Sequence, residues 1–245
     1  MDDGQMEQTL VLIKPDALRL SLTGYLFSQL SEFHTGLRFA GLKVVRVSRM
    51  LAEEHYAEHK GKPFYGPLLD YIMGCNHYAT EPEKRRVIAV VYSGTDAVSK
   101  IRAIAGPTNP HVARADAPGT IRALGTLVPL TDAEGTVTGH RMDNLIHASA
   151  SLEEAEREIK LWFKPTDIMP SMRGWPSEYC EEHYYFEDGK LSTSYEAGAT
   201  CLLSPGKLAW KSDLDGLRAA ARGAPPESGV NAIAIKYLIN TERET

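Results

Sequence analysis

The chain has 245 residues, 43% of them hydrophobic and 24% charged. That is a globular mixture able to bury a sizeable core, and it excludes a fully disordered chain, a collagen-like fibre and a small disulfide-stapled scaffold. Its 27 Lys and Arg against 32 Asp and Glu give a formal net charge of -5, which disfavours a globally basic nucleic-acid binder but leaves room for a local basic pocket.

The first five residues, Met1-Asp2-Asp3-Gly4-Gln5, are acidic and polar, unlike a secretory signal. Residues 9–13 form a short apolar run that reads as a buried strand, ended by a turn at Lys14-Pro15-Asp16. Residues 20–33 read as one helix with Leu26, Leu30 and Phe33 on its buried face. A strand with alternation follows at 42–47, then a polar helix at 52–60 and a short apolar one at 67–73. Residues 87–92 form a third buried strand, the longest strongly apolar run and far too short to span a bilayer. An amphipathic helix is expected at 96–105. Thr126-Leu127-Val128-Pro129-Leu130 and Thr136-Val137-Thr138 flank Asp132-Ala133-Glu134-Gly135, a hairpin pattern. Ser151-Leu152-Glu153-Glu154 matches a capping box, with Leu152, Ala155, Ile159 and Trp162 as one buried stripe behind it.

The texture changes near Phe163. Residues 164–245 are richer in aromatics, Pro and Gly, and read as an appended segment. They hold a hairpin around Glu187-Asp188-Gly189, a helix from a Ser212 cap to Arg222, a loop at 223–226 and a late strand at 232–240. Three dispersed cysteines, Cys75, Cys180 and Cys201, suit a reducing compartment, so the expectation is a cytoplasmic protein with no membrane and no nucleic-acid partner.

Candidate chemistry gathers around His147. It lies just before the capped helix, an end that attracts anions. Glu158 falls two turns into that helix, placed to hold one imidazole nitrogen and leave the other free. Lys14 puts a cation at a strand end. Arg102 and Arg122, with Thr108 near Gly/Pro turns, suit a polyphosphate clamp. His55 and His59, at i and i+4, have metal-ligand spacing but no third ligand in sequence, and read as a polar helix face.

Five segments in order resemble the nucleoside diphosphate kinase family: Leu12-Ile13-Lys14-Pro15-Asp16; His55-Tyr56 through Lys62-Pro63-Phe64-Tyr65; Gly106-Pro107-Thr108-Asn109-Pro110; Ala117-Pro118-Gly119-Thr120-Ile121-Arg122; and Asn144-Leu145-Ile146-His147-Ala148-Ser149. The resemblance implies an α+β fold, a ferredoxin-like βαββαβ sandwich with an antiparallel sheet covered by helices, over a domain at 1–163. Residues 164–245 would be a C-terminal extension. It also implies ping-pong phosphoryl transfer between nucleoside tri- and diphosphates through His147, supported by Glu158 and Ser149. By the same resemblance Lys14 and Asn144 would bind sugar and terminal phosphates, Tyr56 would sit beside the histidine, and Arg102, Thr108 and Arg122 would hold phosphates. Phe64 would stack on the base, and magnesium would arrive on the nucleotide. Family members assemble as hexamers, tetramers or dimers through surfaces that the chain's additions would alter, and a homo-oligomer, with a dimer favoured, is the expectation here.

Two positions depart from the family's His-Gly-Ser-Asp-Ser. Ala148 would strain the loop if that position needed positive φ, and Ala150 removes a carboxylate near the metal–phosphate end. The segment between Arg122 and Asn144 is also longer than usual, and long extra loops are often functional. A weakly active regulatory or scaffold protein on the same fold is the alternative reading, and a partner-recruiting role for 164–245 is compatible with either.

Overall fold

The computed structural model describes residues 6–226 and 229–240; the polar N-terminal pentapeptide lies outside the described residues. In chain order the elements are β1 (Met6–Ile13), α1 (Pro15–Arg19), α2 (Thr23–Gln29), α3 (Glu32–Thr35), β2 (Arg38–Val45), α4 (Arg49–His55), α5 (Tyr65–Ile72), β3 (Val87–Thr95), α6 (Ala97–Ala105), α7 (Pro110–Asp116), β4 (Thr126–Thr131), β5 (Val137–Asp143), β6 (Ile146–Ala148) and α8 (Leu152–Trp162). The segment beyond adds β7 (Ser177–Tyr179), β8 (Tyr184–Glu187), β9 (Lys190–Ser192), β10 (Thr200–Leu203), β11 (Leu208–Trp210), α9 (Lys211–Ala221) and α10 (Val230–Leu238).

The central sheet runs β2-β3-β1-β6 with every pairing antiparallel, the order of a ferredoxin-like α+β sandwich. β1 and β3 read as continuous apolar runs because both of their faces are covered. Leu10, Leu12, Ala89 and Val91 pack with Leu51, Leu69, Ile159 and Trp162 of α4, α5 and α8. Val11, Ile13, Val90 and Tyr92 point the other way, onto Leu26 of α2 and Ile101 of α6.

Several expectations are corrected. Lys14-Pro15-Asp16 opens α1 rather than a turn, with Pro15 at the first helical position, where its missing N–H costs nothing. The expected 20–33 helix is divided into α2 and α3: Ser21 takes φ 57, and the Ser31 side chain caps α3 through the His34 N–H. Phe33 is 93% exposed and joins no core, whereas Leu26 and Leu30 do. β2 starts earlier than 42 and carries an irregularity between Phe39 and Gly41. The Ser151 side chain caps α8 as expected, but Glu154 reaches back to the Ala150 N–H. Leu152 is 46% exposed, so the buried stripe begins at Ala155. The strand expected at 232–240 is instead largely helix α10, which spans Val230–Leu238, and α9 begins at Lys211 without a Ser212 cap.

The described residues between 164 and 240 fold onto the part of the chain before them. Ile168, Met172, Trp210 and Ile235 are buried in the same cluster as Leu10 and Trp162. Trp210 Nε1 donates to the Phe163 carbonyl at 2.8 Å. The segment also covers the outer edge of β2, where unpaired backbone groups would otherwise invite strand pairing. Met169 N–H donates to Ala40 O, while Asn240 accepts from Arg46 N–H and donates to Val44 O. A Cβ at Gly41 would meet Asp167 O at 2.8 Å, so glycine permits this close approach.

Candidate active site

His147 sits in β6, paired opposite Leu12 of β1. This short strand is reached through a tight turn in which Leu145 takes φ 70. The turn is pinned from three sides: Asp16 Oδ2 accepts from Leu145 N–H at 2.9 Å, Leu145 O accepts from Lys14 N–H at 2.9 Å, and Tyr71 Oη accepts from Asn144 N–H at 3.2 Å. Backbone strain therefore falls on Leu145. Ala148 is an ordinary strand residue paired with Val11, and its side chain strains nothing.

Glu158, buried on α8, accepts from His147 Nε2 at 2.9 Å and from Ser149 Oγ at 2.6 Å, both on Oε2. Its Oε1 faces His55 Nδ1 at 3.7 Å and Arg157 at 3.8 Å. Burial alone would raise the Glu158 carboxyl, but the His147 charge and hydrogen bond, with help from His55 and Ser149, outweigh it and hold the group down at about 2. Ser149 is itself fixed by accepting from Leu10 N–H at 3.2 Å. The imidazole of His147 is thus oriented through Nε2, and Nδ1 is uncommitted among the described residues. Such a nitrogen beside cationic groups suits nucleophilic attack on phosphorus.

His147 borders a cavity of about 400 Å³. Lys14, Tyr56, Phe64, Arg102, Thr108, Arg122, Asn144 and Glu158 share its lining, so the structure brings together every site residue expected from sequence except Ser149, which lies underneath, holding Glu158. Lys14 Nζ donates to Asn144 Oδ1 at 2.7 Å, and Asn144 Nδ2 donates to Thr108 O at 2.8 Å. Burial lowers the Lys14 ammonium to about 7; Asp16 and Asp143 pull it back up and Arg122 pushes it further down. Arg122 is buried and donates to Gly106 O at 2.9 Å and Ile146 O at 3.3 Å, while its Nε has no partner among the described residues. Burial, then Arg102, lower that guanidinium to about 10. Arg102 depresses Arg122 and Arg122 depresses Lys14, so cations outnumber anions at this end of the site. Gly106 is required where Arg122 docks, since it takes φ 81 and a Cβ would meet Thr120 Oγ1 at 2.2 Å. Phe64, 47% exposed, stands at the mouth with the His59 ring edge-on at 5.6 Å.

The sequence reading missed His55. It is buried rather than part of a polar face, with its ring 4.6 Å from that of His147 and nearly perpendicular to it. Trp162 Nε1 donates to its Nδ1 at 3.3 Å. Burial and then the His147 charge drive His55 to about 3, so it stays neutral. The signal was present in sequence: Leu51, Ala52 and His55 share the buried side of α4. His55, His147 and Glu158 offer ligand atoms within 4.8 Å of one another, a nitrogen-rich set. Asp16 and Tyr71, which pin the turn, were likewise unassigned.

Comparison with known proteins shows that residues 7–168 match the model of the family described as nucleoside diphosphate kinase. The chain belongs to the nucleoside diphosphate kinase family. A nucleoside diphosphate kinase of Thermococcus kodakarensis is 37% identical over 204 residues, covering 82% of this chain and 99% of its own. One from Staphylococcus haemolyticus is 41% identical over 163 residues, covering 66% and 91%. Among solved structures, the Aquifex aeolicus nucleoside diphosphate kinase superposes with a TM-score of 0.53 at 31% identity, covering 67% of this chain and all of that one. The Halobacterium salinarum nucleoside diphosphate kinase, in complex with CDP, gives 0.51 at 33% identity, covering 67% and 92%. The nucleoside diphosphate kinase match reaches Ile168, past the textural change near Phe163.

Proposed function

We propose that this nucleoside diphosphate kinase works through a phosphohistidine at His147. The observation that carries the reading is the 2.9 Å bond from His147 Nε2 to buried Glu158, which leaves Nδ1 beside a cation-lined cavity. The Nδ1 lone pair forms a bond to the γ-phosphorus of a nucleoside triphosphate. The bond from that phosphorus to the bridging oxygen breaks, and the diphosphate leaves with the electron pair. The imidazole carries positive charge while phosphorylated, and Glu158, held by Ser149, stabilises it across the Nε2–H. A second nucleoside diphosphate attacks in reverse and leaves as the triphosphate.

Lys14, Arg102 and Arg122 neutralise the phosphates, with Thr108 and Asn144 fixing the phosphate and sugar end. Tyr56, buried beside His55, borders the transferring group. Phe64 stacks on the base. Phosphoryl transfer needs positioning and charge neutralisation more than covalent help, which this inventory supplies.

Magnesium fits this site as a companion of the nucleotide. The histidine-rich cluster in the cavity wall is a poor host for an ion that demands oxygen ligands. The ion supplies charge neutralisation at the phosphates. The altered Ala148 leaves the nucleophile's strand undisturbed, which favours an active enzyme over a scaffold. We place the enzyme in the cytoplasm, as three free thiols suit a reducing compartment. Among the described residues no helix is long and apolar enough to cross a membrane. We treat 164–245 as an extension of the catalytic domain and the working assembly as a homodimer, to be checked by light scattering.

Initial rates with two nucleotides test the mechanism. Ping-pong transfer gives parallel double-reciprocal lines as the second substrate is varied; intersecting lines, requiring both nucleotides bound at once, contradict it.

A further inference from the structure

Next to the Lys14 end of the site lies a buried carboxylate that the reaction does not yet use. Asp143 closes β5, one residue before Asn144. It accepts from Arg141 Nε at 2.6 Å, from Arg141 Nη2 at 3.0 Å and from His77 Nε2 at 2.7 Å. A carboxylate has no proton to give, so His77 carries a proton on Nε2. Burial alone would raise the Asp143 carboxyl, but the His77 and Arg141 hydrogen bonds outweigh it and hold the group below its ordinary value. His77, also buried, lies in the loop after α5, and Arg19 of α1 donates to its carbonyl. Neither Asp143 nor His77 borders the cavity.

What they touch does border it. The His77 ring lies 5.3 Å from that of Tyr71, whose hydroxyl accepts from Asn144 N–H at 3.2 Å. Lys14 Nζ stands 5.0 Å from the centre of the same Tyr71 ring and donates to Asn144 Oδ1 at 2.7 Å. The charged and titratable groups facing Lys14 are Asp16 on α1, Tyr71 on α5, His55 on α4, Arg122 ahead of β4 and Asp143 on β5. His55 stays neutral; burial, then Asp16 and Asp143, push the Tyr71 phenol well up, so it stays neutral too. Asp16 and Asp143 are thus the carboxylates set against Arg122 and the cost of burying the ammonium.

We propose that Asp143, held by His77, is a positioning residue of this site: it braces the Tyr71–Asn144 corner and supplies a countercharge for Lys14, keeping that ammonium ready for a phosphate. The proposal rests on the nucleotide reading of the cavity. Asp143 touches no substrate and acts through Lys14 and Asn144. The loop after α5 and the base of the β4–β5 hairpin then belong to the machinery of the substrate site.

The test is the pH profile of kcat/KM for ATP in wild type, Asp143→Asn and His77→Leu, each alone and in a Lys14→Met background, with His147 labelling and thermal melting beside it. In wild type kcat/KM falls as pH rises through about 7, where Lys14 loses its proton. Asp143→Asn keeps the shape and removes the countercharge. The fall is then expected about one pH unit lower, with kcat/KM reduced about twofold at pH 6 and about ninefold at pH 8. His77→Leu should move the fall the same way by less, and His77→Gln, which keeps an N–H for Asp143, should restore the wild-type profile. In the Lys14→Met background Asp143→Asn should change no slope. A loss by one factor at every pH overturns the proposal, since that is what a merely structural role predicts. So does a wild-type profile in Asp143→Asn, or a pH-dependent loss that survives in Lys14→Met. If Asp143→Asn fails to fold, His77→Leu carries the test under the same outcomes. Failure of the wild type itself to become labelled would reject the nucleotide reading rather than single out Asp143.

Discussion

Among the described residues, a buried ionic cluster around Glu158 borders the cavity, and another, around Asp213, does not. Beneath the site, Glu158 gathers His147, Ser149, His55 and Arg157, yet His147 keeps an uncommitted nitrogen on the cavity side of the network. In the extension, Lys236 of α10 donates to both oxygens of Asp213 on α9, at 2.9 and 3.0 Å, and to Ile233 O at 3.3 Å. Tyr237 Oη donates to the same carboxylate at 3.0 Å. Burial pulls the Lys236 ammonium down and Asp213 opposes it, much as happens at Lys14. Lys236 and Asp213 do not border the cavity. A buried charge or a shifted pKa is thus no mark of function by itself. What separates the clusters is an unspent valence opening onto space. The closed cluster joins two helices of the extension, and α10 packs on α4 and α8, the helices that carry His55 and Glu158.

The largest effect is expected at the cavity end. His147→Ala should remove turnover by on the order of 10⁴-fold or more while the melting temperature stays near wild type. A mutant retaining a tenth of the activity would show that the nucleophile lies elsewhere. At the closed end, Lys236→Met leaves Asp213 as an uncompensated buried charge and should cost about 3–5 kcal/mol of stability, measured by urea unfolding. The double change Lys236→Met with Asp213→Leu should recover most of it. The same pair of variants should phosphorylate His147 normally wherever they are folded, and a slow step in the folded double variant would join the two clusters functionally. Glu158→Gln keeps the shape but loses the charge that stabilises the phosphorylated imidazole. Turnover should fall about 10²-fold with KM little changed.

The smallest effect is the sharpest in sign. The Lys14 ammonium lies at about 7 in the folded chain against 10.5 for a free lysine. Between those values the unfolded chain binds the extra proton, so the Lys14 contribution to stability improves as pH rises through that window. Phosphate binding needs the protonated form, so kcat/KM should fall over the same rise. Opposite slopes in activity and melting temperature, both flattened in Lys14→Met, would identify this lysine; parallel slopes would contradict the assignment.

Much of the site was legible because it is local. The strand into Lys14, the serine cap at Ser151 and the spacing from His147 to Glu158 follow from near neighbours in sequence. The hairpin at β8–β9 follows from Asp188-Gly189, which take φ 45 and 80 in a two-residue turn. What escaped depends on distant contacts. A nine-residue apolar stretch such as α10 carries no decisive period, and helix wins only by packing on α4 and α8. The break after α1 is set by Leu22 N–H bonding to Ala17 O past a left-handed Ser21, which no propensity announces. His55 is the exception: its spacing from Leu51 and Ala52 already marked the buried side of α4, although its partners, Trp162 and Glu158, lie over a hundred residues away.

Phosphoryl transfer through His147 is what most needs testing. Incubation with γ-labelled ATP and magnesium, removal of nucleotide, and a chase with GDP tests it directly. The expected result is an acid-labile, alkali-stable label on wild type that moves quantitatively to GDP and is absent from His147→Ala. Turnover in the wild type without any protein-bound label, or a label that persists in His147→Ala, would contradict it.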